Sequence, residues 1–221
     1  MRLSVVITAG GSSSRYGSTN KLLEKIDGKE VILRSIEAFL PLNPFEIVIS
    51  TSESLLPEIT ELTKGIPNIK IVQGGKERQQ SVFNALKACD DPDYVAIHDG
   101  ARPLVKTEDI KKCIETAIGT KAAYLAVKAT DTIKRVDENN KTIETLDRNC
   151  LCCVQTPQVF EYETILKVHE KLQGQNFSDD AGMLESLGIP VYVVEGSCSN
   201  IKITTKADIA TAEALIGFES L

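Results

Sequence analysis

The sequence predicts an α/β fold built on a mainly parallel, mixed sheet with helices on its faces. Short runs rich in Val and Ile, such as Val5–Ile7 and Ile47–Ile49, are typical of parallel strands that are buried on both faces. Segments with apolar residues at helical spacing follow these runs, as in residues 31–40. Because strand and helix alternate along the chain, we expect βαβ units with right-handed crossovers.

The predicted elements extend along all 221 residues. Apolar runs predict strands at 5–9, 46–50, 69–72, 94–98, 122–127 and 191–194. Helical spacing predicts helices at 31–40, about 52–64, 78–89, from about 107, 162–172, 178–187 and 206–216. Pro41, Gly65 and Gly188 follow three of these helices, and such residues end helices.

Several helix starts carry residues that are good N-caps. Ser52 or Ser54 is expected to cap the second helix, and Thr107 is expected to cap the fourth. Ser178 is expected to cap the helix at 178–187, with two acidic residues in its first turn, where they complement the helix dipole. We expect this capping arrangement to account for the carboxylates of residues 179 and 180.

The pattern changes between about 130 and 153. Thr132–Val136 and Lys141–Leu146 are predicted to be two short strands around the polar turn 137–140. A lone hairpin is marginal in water, so this arm must pack on another surface. We expect a second copy of the chain to provide that surface, with residues 1–221 forming a single domain into which the arm is inserted.

Composition excludes several classes of protein. The 25 Lys and Arg residues against 31 Asp and Glu give a net charge of −6, which argues against a nucleic-acid-binding face. No apolar run approaches the ~20 residues of a membrane span, and Met1 leads directly into the first strand without a signal-like segment. We therefore expect a cytoplasmic protein, or one of the plastid stroma if the chain is a processed form.

Six cysteines are present, and three of them cluster at Cys150, Cys152 and Cys153. A zinc site would need further ligands at a suitable spacing. His98 and His169 are far apart in sequence, and no C-x-x-C pair recurs. The spacing therefore does not favour zinc, and we expect reduced thiols.

The first strand leads into a segment of small residues. Gly10 and Gly11 permit a sharp turn and a close approach of the backbone to a ligand, and successive N–H groups there can form an anion-binding nest. Arg15 and Lys21 then add positive charge. This combination favours a polyphosphate ligand, although the segment matches neither the P-loop nor G-x-G-x-x-G. These residues alone leave open a plain strand–turn connection with two solvated cations.

Two further strand ends carry polar or glycine-rich segments. Gly74 and Gly75 follow the third strand, and Asp99 follows the apolar run that begins at Tyr94. Ligands of open α/β sheets bind outside the carboxyl ends of strands, and a carboxylate there can hold Mg²⁺ together with phosphate oxygens and water. The alternatives are a tight turn at the glycines and a helix-capping role for the aspartate.

Two other polar residues have distinctive neighbours. Lys202 lies between Ile201 and Ile203, and a cation among buried apolar residues needs an anion, either a carboxylate or a phosphate. His98 directly precedes Asp99, and we interpret it as a core or rim residue rather than a base.

Taken in order, these segments resemble the 2-C-methyl-D-erythritol 4-phosphate cytidylyltransferase family of the non-mevalonate isoprenoid pathway. The resemblance rests on Ala9–Gly11 with Arg15 and Lys21, Gly74–Arg78 with Ser81, His98–Pro103, Asp131–Lys134, Gln155–Gln158 and Asn200–Thr204, and it extends over nearly the whole chain. It implies a Rossmann-like nucleotidyltransferase fold whose projecting β-arm builds a homodimer. The implied reaction joins CTP to 2-C-methyl-D-erythritol 4-phosphate and gives 4-diphosphocytidyl-2-C-methyl-D-erythritol and pyrophosphate.

The resemblance also implies roles for individual residues. Catalytic roles fall on Arg15, Lys21 and Lys202, of which the first two clamp the CTP phosphates and the third touches the α-phosphate. CTP binding falls on Ala9, Gly10, Gly11, Gly75, Ser81 and Asp99, and the last of these also holds Mg²⁺. Binding of the polyol phosphate falls on Arg102, Thr132, Arg148 and Thr156, the last three reaching the site from the partner's arm.

Three alternatives stay open at the level of sequence. A ribitol-5-phosphate cytidylyltransferase shares the loop pattern and the metal carboxylate. A sugar-1-phosphate nucleotidyltransferase is a broader alternative, and a non-catalytic nucleotide-sensing protein is an alternative of another class. Retention of both loop cations, Arg15 and Lys21, together with Asp99 favours an enzyme over a sensor.

Overall fold

The computed structural model describes residues 1–10 and 20–219, so the predicted site residues Gly11 and Arg15 lie outside the described part of the chain. The strands are β1 (Leu3–Ala9), β2 (Lys25–Ile26), β3 (Lys29–Glu30), β4 (Glu46–Thr51), β5 (Ile69–Gln73), β6 (Tyr94–Asp99), β7 (Ala122–Lys128), β8 (Lys134–Val136), β9 (Thr142–Thr145), β10 (Cys152–Glu161) and β11 (Tyr192–Glu195). The α-helices are α1 (Val31–Glu37), α2 (Leu56–Leu62), α3 (Arg78–Lys87), α4 (Thr107–Thr120), α5 (Tyr162–Lys171), α6 (Asp180–Ser186) and α7 (Lys206–Glu219).

A seven-stranded sheet in the order β11-β7-β10-β6-β1-β4-β5 forms the centre of the molecule. Strands β6, β1, β4 and β5 run parallel to one another, and β11 runs parallel to β7. Strand β10 lies between β6 and β7 and is antiparallel to both. The prediction of an α/β fold with a mainly parallel, mixed sheet is confirmed.

Helices cover both faces of this sheet, and β1 shows why its apolar run is continuous. Val5 and Ile7 belong to the core on one face, whereas Val6 belongs to the core on the other. Successive strand residues point to opposite faces, so a strand covered on both sides needs apolar residues at every position. The carboxyl ends of these buried parallel strands lie at one edge of the sheet, where they can position a site.

The N-termini of α2 and α4 differ from the sequence prediction. Residues 53–55 form a 3₁₀ turn before α2 begins at Leu56, and the hydroxyls of Ser52 and Ser54 bond to each other at 3.1 Å instead of capping a helix. Helix α4 has Lys106 at its N-cap, because the Thr107 hydroxyl donates to the Ala38 carbonyl at 2.8 Å. The two serine hydroxyls thus bond locally, whereas the Thr107 hydroxyl bonds to a residue 69 positions away.

The helix predicted at 178–187 is present as α6, but its predicted N-cap is wrong in a way that affects the site. Asp179, and not Ser178, is the N-cap residue, and its Oδ1 accepts a hydrogen bond from Gly182 N at 3.1 Å. Asp180 is buried, with 1% of its surface exposed. Capping therefore explains the carboxylate of Asp179 but not that of Asp180, which makes other contacts.

The predicted hairpin is present as a separate two-stranded antiparallel sheet of β8 and β9. All residues of both strands are exposed, and the exposed fractions of Val136 and Ile143 are 47% and 56%. A hairpin that buries so little apolar surface is marginally stable on its own. That it packs on a second copy of the chain stays a prediction.

None of the helices in the described part of the chain combines the length and the apolar character needed to cross a lipid bilayer.

Candidate active site

Asp99 is the last residue of β6, at the carboxyl edge of the parallel strands. Its neighbour on β1 is Thr8, whose hydroxyl donates to Asp99 Oδ1 at 3.3 Å. The aspartate is buried, with 6% of its surface exposed. A carboxylate at this depth needs compensating charge, because an isolated buried charge is costly.

Two cations from distant parts of the chain provide that charge. Arg78, the first residue of α3, places Nε at 3.2 Å from Asp99 Oδ1, and Lys202 places Nζ at 2.6 Å from Asp99 Oδ2. Burial by itself raises the pKa of the Asp99 carboxyl, but the positive charges of Arg78 and Lys202 outweigh burial and hold this pKa well below its usual range. Asp99 is therefore ionised at neutral pH.

Thr156 fixes the backbone of Asp99 from the same chain. Its hydroxyl oxygen accepts a hydrogen bond from Asp99 N at 3.0 Å and lies 3.0 Å from His98 Nδ1. Burial lowers the pKa of His98 to about 4, so the ring is neutral near pH 7. Because the Arg102 carbonyl can only accept, His98 Nε2 carries the ring proton and donates to it at 3.1 Å. The unprotonated Nδ1 therefore accepts from the Thr156 hydroxyl. The interpretation of His98 as a core residue agrees with this arrangement.

Gly10, the last described residue before the first loop, lies beside the second glycine-containing loop. The Ser81 hydroxyl accepts from Gly75 N at 3.0 Å and donates to Glu77 O at 3.0 Å. A Cβ atom on Gly10 would lie 3.6 Å from this same hydroxyl. The structure thus brings together Ala9, Gly10, Gly75 and Ser81, the described residues expected to line the cytidine site, with Ala9 buried at the end of β1.

Arg102 lies in the loop that follows β6. Its Nη1 donates to Asn200 O at 2.7 Å, and its Nη2 donates to Val154 O at 3.3 Å. Its Nε is buried and has no hydrogen-bond partner among the described residues. Asn200 in turn donates through Nδ2 to Thr156 O at 3.0 Å, which ties the loop that carries Lys202 to β10. Arg102 is half-buried, and a guanidinium with an unused donor is suited to bind an anion.

The donor set around Asp99 fits a divalent cation that substrates help to hold. In the described part of the chain, no group of three or more His, Cys, Asp or Glu side chains forms a metal site. Mg²⁺ characteristically takes only one or two protein carboxylates and obtains its other ligands from phosphates and water. Asp99 Oδ1 accepts from both Thr8 and Arg78, whereas Oδ2 contacts Lys202, so the second lone pair of Oδ2 leaves room for a further ligand bond.

Comparison with known proteins supports one family. A family model described as IspD, 2-C-methyl-D-erythritol 4-phosphate cytidylyltransferase, matches residues 3–217. The chain belongs to this family. A protein of that name from Caldanaerobacter subterraneus subsp. tengcongensis is 45% identical over 98% of this chain and 99% of its own length. Another from Dictyoglomus thermophilum is 42% identical over 98% and 97%.

Solved structures agree with the cytidylyltransferase family. The 4-diphosphocytidyl-2C-methyl-D-erythritol synthase of Anaerococcus prevotii superposes with a TM-score of 0.88 at 30% identity, covering 98% of this chain and 96% of that one. The 2-C-methyl-D-erythritol 4-phosphate cytidylyltransferase of Thermus thermophilus gives a TM-score of 0.82 at 29% identity, covering 97% and 98%. The nucleotidyltransferase fold implied by the sequence is therefore confirmed.

The catalytic and acceptor-binding residues that the cytidylyltransferase resemblance implied differ in where the structure places them. Lys202, Arg102 and Thr156 meet at Asp99 or at residues bonded to it. Thr132 and Arg148 lie in the exposed segment that contains the hairpin, where Arg148 Nη1 donates to Thr130 O at 3.0 Å. Lys21 is described and lies two residues after the undescribed residues 11–19 of the first loop.

One expectation about the partner's arm needs correction. Thr156 is not in the arm but in the body of its own chain, on β10, where only 5% of its surface is exposed. The register of β10 against β7 shifts between Val154 and Gln158, and this irregularity carries Thr156 toward Asp99. With its proton given to His98, the Thr156 hydroxyl keeps only an acceptor lone pair, which cannot bind a phosphate dianion.

Sequence reasoning missed the contribution of Arg78 and Asp180. Arg78 Nη1 lies 2.7 Å from Asp180 Oδ2 while its Nε contacts Asp99. Arg78 follows the second glycine loop, so a search for cations near the loops would have found it. No local signal could have found Asp180, because its capping position offered a sufficient explanation and its partner lies 102 residues away.

Proposed function

We propose that this chain transfers the cytidylyl group of CTP to 2-C-methyl-D-erythritol 4-phosphate and releases pyrophosphate. The observation that carries the proposal is the buried, ionised Asp99, which lies among Arg78, Lys202 and Arg102 on the same sheet edge as Gly10 and Gly75, in a chain of this family. The product is 4-diphosphocytidyl-2-C-methyl-D-erythritol, an intermediate in isoprenoid precursor synthesis.

The acceptor needs no activation by the protein. A phosphate monoester has a second pKa of about 6 and is mostly dianionic at pH 7. One of its oxygens forms a bond to the α-phosphorus, and the bond from that phosphorus to the bridging oxygen of the β-phosphate breaks. The electron pair leaves with pyrophosphate. A general base or a nucleophilic side chain is therefore not required.

The obstacle is repulsion between a dianion and a triphosphate. Pre-positioned cations lower this barrier, because they stabilise charge that develops in the transition state. Arg15 and Lys21 of the first loop are proposed to hold the CTP phosphates, and Lys202 to contact the α-phosphate. Lys202 suits this role because its side chain is 41% exposed, so its ammonium can turn from Asp99 toward a ligand.

Asp99 is proposed to hold Mg²⁺ together with the CTP phosphates. The bound ion supplies positive charge that offsets the charge of the phosphates. The protein's own part is to keep Asp99 ionised and oriented, which the contacts from Thr8, Thr156 and Arg78 achieve.

The acceptor phosphate is proposed to bind Arg102 together with Thr132 and Arg148 from a second copy of the chain. The exposed hairpin of β8 and β9 supports this proposal, because it requires a packing partner. Arg148 is suited to the role, because a guanidinium can hold a phosphate with two parallel hydrogen bonds. The proposed active unit is therefore a homodimer joined through the arm.

The experiment that tests the function is release of pyrophosphate from CTP across a panel of polyol phosphates. We expect the largest kcat/KM with 2-C-methyl-D-erythritol 4-phosphate. A larger value with ribitol 5-phosphate would show the alternative cytidylyltransferase. CTP binding without pyrophosphate release from any acceptor would show a nucleotide-sensing protein.

A further inference from the structure

Asp180 is a buried carboxylate that the proposed reaction does not use. Its Oδ2 lies 2.7 Å from Arg78 Nη1 and its Oδ1 lies 3.0 Å from His169 Nε2, and both Asp180 and His169 are 1% exposed. Neither residue can touch a substrate from this position. A buried ion pair contributes little net stability compared with well-packed apolar residues, so its presence calls for a further reason.

Arg78 connects this carboxylate to Asp99. One edge of its guanidinium contacts Asp180 through Nη1, and its Nε contacts Asp99 Oδ1 at 3.2 Å. A guanidinium is planar and presents its donors in a fixed fork. Contacts on two edges therefore fix its orientation, and the position of Asp180 determines where Arg78 meets Asp99.

The element that carries Asp180 is itself held by β10. Gln158 is fully buried, and its Oε1 accepts from Asp180 N at 3.1 Å and from Ala181 N at 3.0 Å. Its Nε2 donates to Asp179 Oδ2 at 2.7 Å. Two residues before it, Thr156 binds the backbone of Asp99. Strand β10 thus positions Asp180 through Gln158 and Asp99 through Thr156.

The two cations on Asp99 differ in how firmly they are held. Lys202 is 41% exposed and carries a single ammonium on a flexible stem, whereas Arg78 is 28% exposed and anchored behind by Asp180. If Lys202 turns toward a nucleotide, Arg78 stays. Asp99 then keeps one fixed cation that determines its orientation.

We infer that Arg78 and Asp180 are positioning residues, which hold the Asp99 carboxylate in place for the divalent cation while Lys202 is the exchangeable partner. The inference rests on the proposed function, because it takes Asp99 as the residue that holds the ion. Partners that orient a metal ligand from behind typically change metal affinity or activity by about 10–100-fold when they are replaced.

The test compares Asp180→Asn with Glu46→Gln. Glu46 is a matched control, because it is also a buried carboxylate, 3% exposed, paired with Lys70 at 2.7 Å, at the opposite end of the strands from Asp99. Calorimetry measures CTP affinity with Mg²⁺ and with EDTA, and the ratio gives the gain from the ion without any turnover. We expect Asp180→Asn to reduce this gain about tenfold or more while its CTP affinity in EDTA stays near that of the parent.

Glu46→Gln is expected to lower the melting temperature and to leave the Mg²⁺ gain unchanged. Arg78→Lys is a second variant in case Asp180→Asn does not fold, because one ammonium cannot hold both carboxylates. It should reduce the gain similarly, and the double variant should add little, since the two residues act as one unit.

Two results overturn the inference. One is a folded Asp180→Asn or Arg78→Lys variant with the Mg²⁺ gain of the parent, and the other is a parent whose CTP affinity does not depend on Mg²⁺. Failure of the proposed function is a different result, namely a parent that releases no pyrophosphate from CTP with any polyol phosphate.

Discussion

At the scale of single residues, the site is determined by the balance between burial and charge at β6. Burial alone would favour a neutral Asp99, yet Arg78 and Lys202 keep it ionised. Burial of His98 outweighs the opposing charge of Asp99 and leaves the ring neutral, so the ring can accept from Thr156 and donate to the Arg102 carbonyl. Of these two adjacent titratable residues, Asp99 is thus ionised and His98 is neutral, and each state suits the residue's contacts.

The neutral state of His98 predicts a pH dependence of stability. Its pKa is lowered from 6.5 to about 4 in the folded chain, so between these values the unfolded chain binds more protons. The stabilising contribution is therefore complete above about pH 6.5 and is lost as the pH falls toward 4. The loss amounts to about 3 kcal/mol, at 1.36 kcal/mol per pKa unit.

Chemical denaturation of the parent and of His98→Gln between pH 7 and 4 measures this effect. The free energy of unfolding of the parent should fall more steeply than that of the variant, by about 3 kcal/mol across the window. Equal slopes for the two proteins would mean that His98 is not held neutral by burial.

At the scale of elements, the turn between β5 and α3 is shaped by its glycines. A Cβ atom on Gly74 would lie 2.9 Å from Ser81 Oγ and 3.2 Å from Ser50 Oγ, and one on Gly75 would lie 2.3 Å from Gln80 Cγ. The close approach leaves no room for a side chain at Gly74 without moving the Ser81 hydroxyl. This turn is where the second loop meets Gly10.

Gly74→Ala should therefore displace the loop and weaken use of CTP. We expect kcat/KM for CTP to fall on the order of tenfold to a hundredfold, because small misplacements of binding groups are costly. Gly119→Ala is the control, since Gly119 lies in α4 and a Cβ there would meet nothing within 4 Å. It should keep full activity and stabilise the fold by about 0.5–1 kcal/mol. Parent-like CTP kinetics in Gly74→Ala would contradict this account of the turn.

At the scale of the whole molecule, the exposed arm separates Thr132 and Arg148 from the body of the chain. The body holds Asp99, Lys202 and Arg102 by its own contacts, whereas the arm has an exposed two-stranded sheet. A site completed by the arm of a second copy would explain why the arm retains an arginine beyond its strands. This is the basis of the proposed shared acceptor site.

Arg148→Ala should raise KM for the polyol phosphate about tenfold or more and leave CTP binding nearly unchanged, because a hydrogen bond to a charged group contributes about 1.5–3 kcal/mol. Arg135→Ala is the matched control, since Arg135 is also an arm arginine but pairs with Glu144 at 2.8 Å on the surface, where ion pairs contribute at most about 1 kcal/mol. Steady-state kinetics with each substrate varied in turn separates the two effects.

Mixing Lys21→Ala with Arg148→Ala tests whether the site is shared, at a polyol phosphate concentration far below the raised KM of Arg148→Ala, where each variant alone turns over slowly. Heterodimers would contain one site with both residues intact, so activity should return as subunits exchange. Demonstrated exchange without recovery of activity would show that each site is built within one chain.

The sequence by itself determined the fold class, the hairpin and the strand ends that carry the candidate site. Continuous apolar runs such as Val5–Ile7 predict buried parallel strands because both of their faces lose contact with water. Carboxyl ends of parallel strands share one edge, so Gly10, Gly75 and Asp99 could be predicted to lie together before any contact was known.

Only the tertiary structure decided which charges pair. Arg78 reaches Asp180 across 102 residues, and Thr156 meets Asp99 across 57, so local patterns carry no information about either contact. The sequence assigned the Asp180 carboxylate to helix capping and Thr156 to the partner's arm. Burial overrides both assignments, because a polar group removed from water must bond to whatever the fold places beside it.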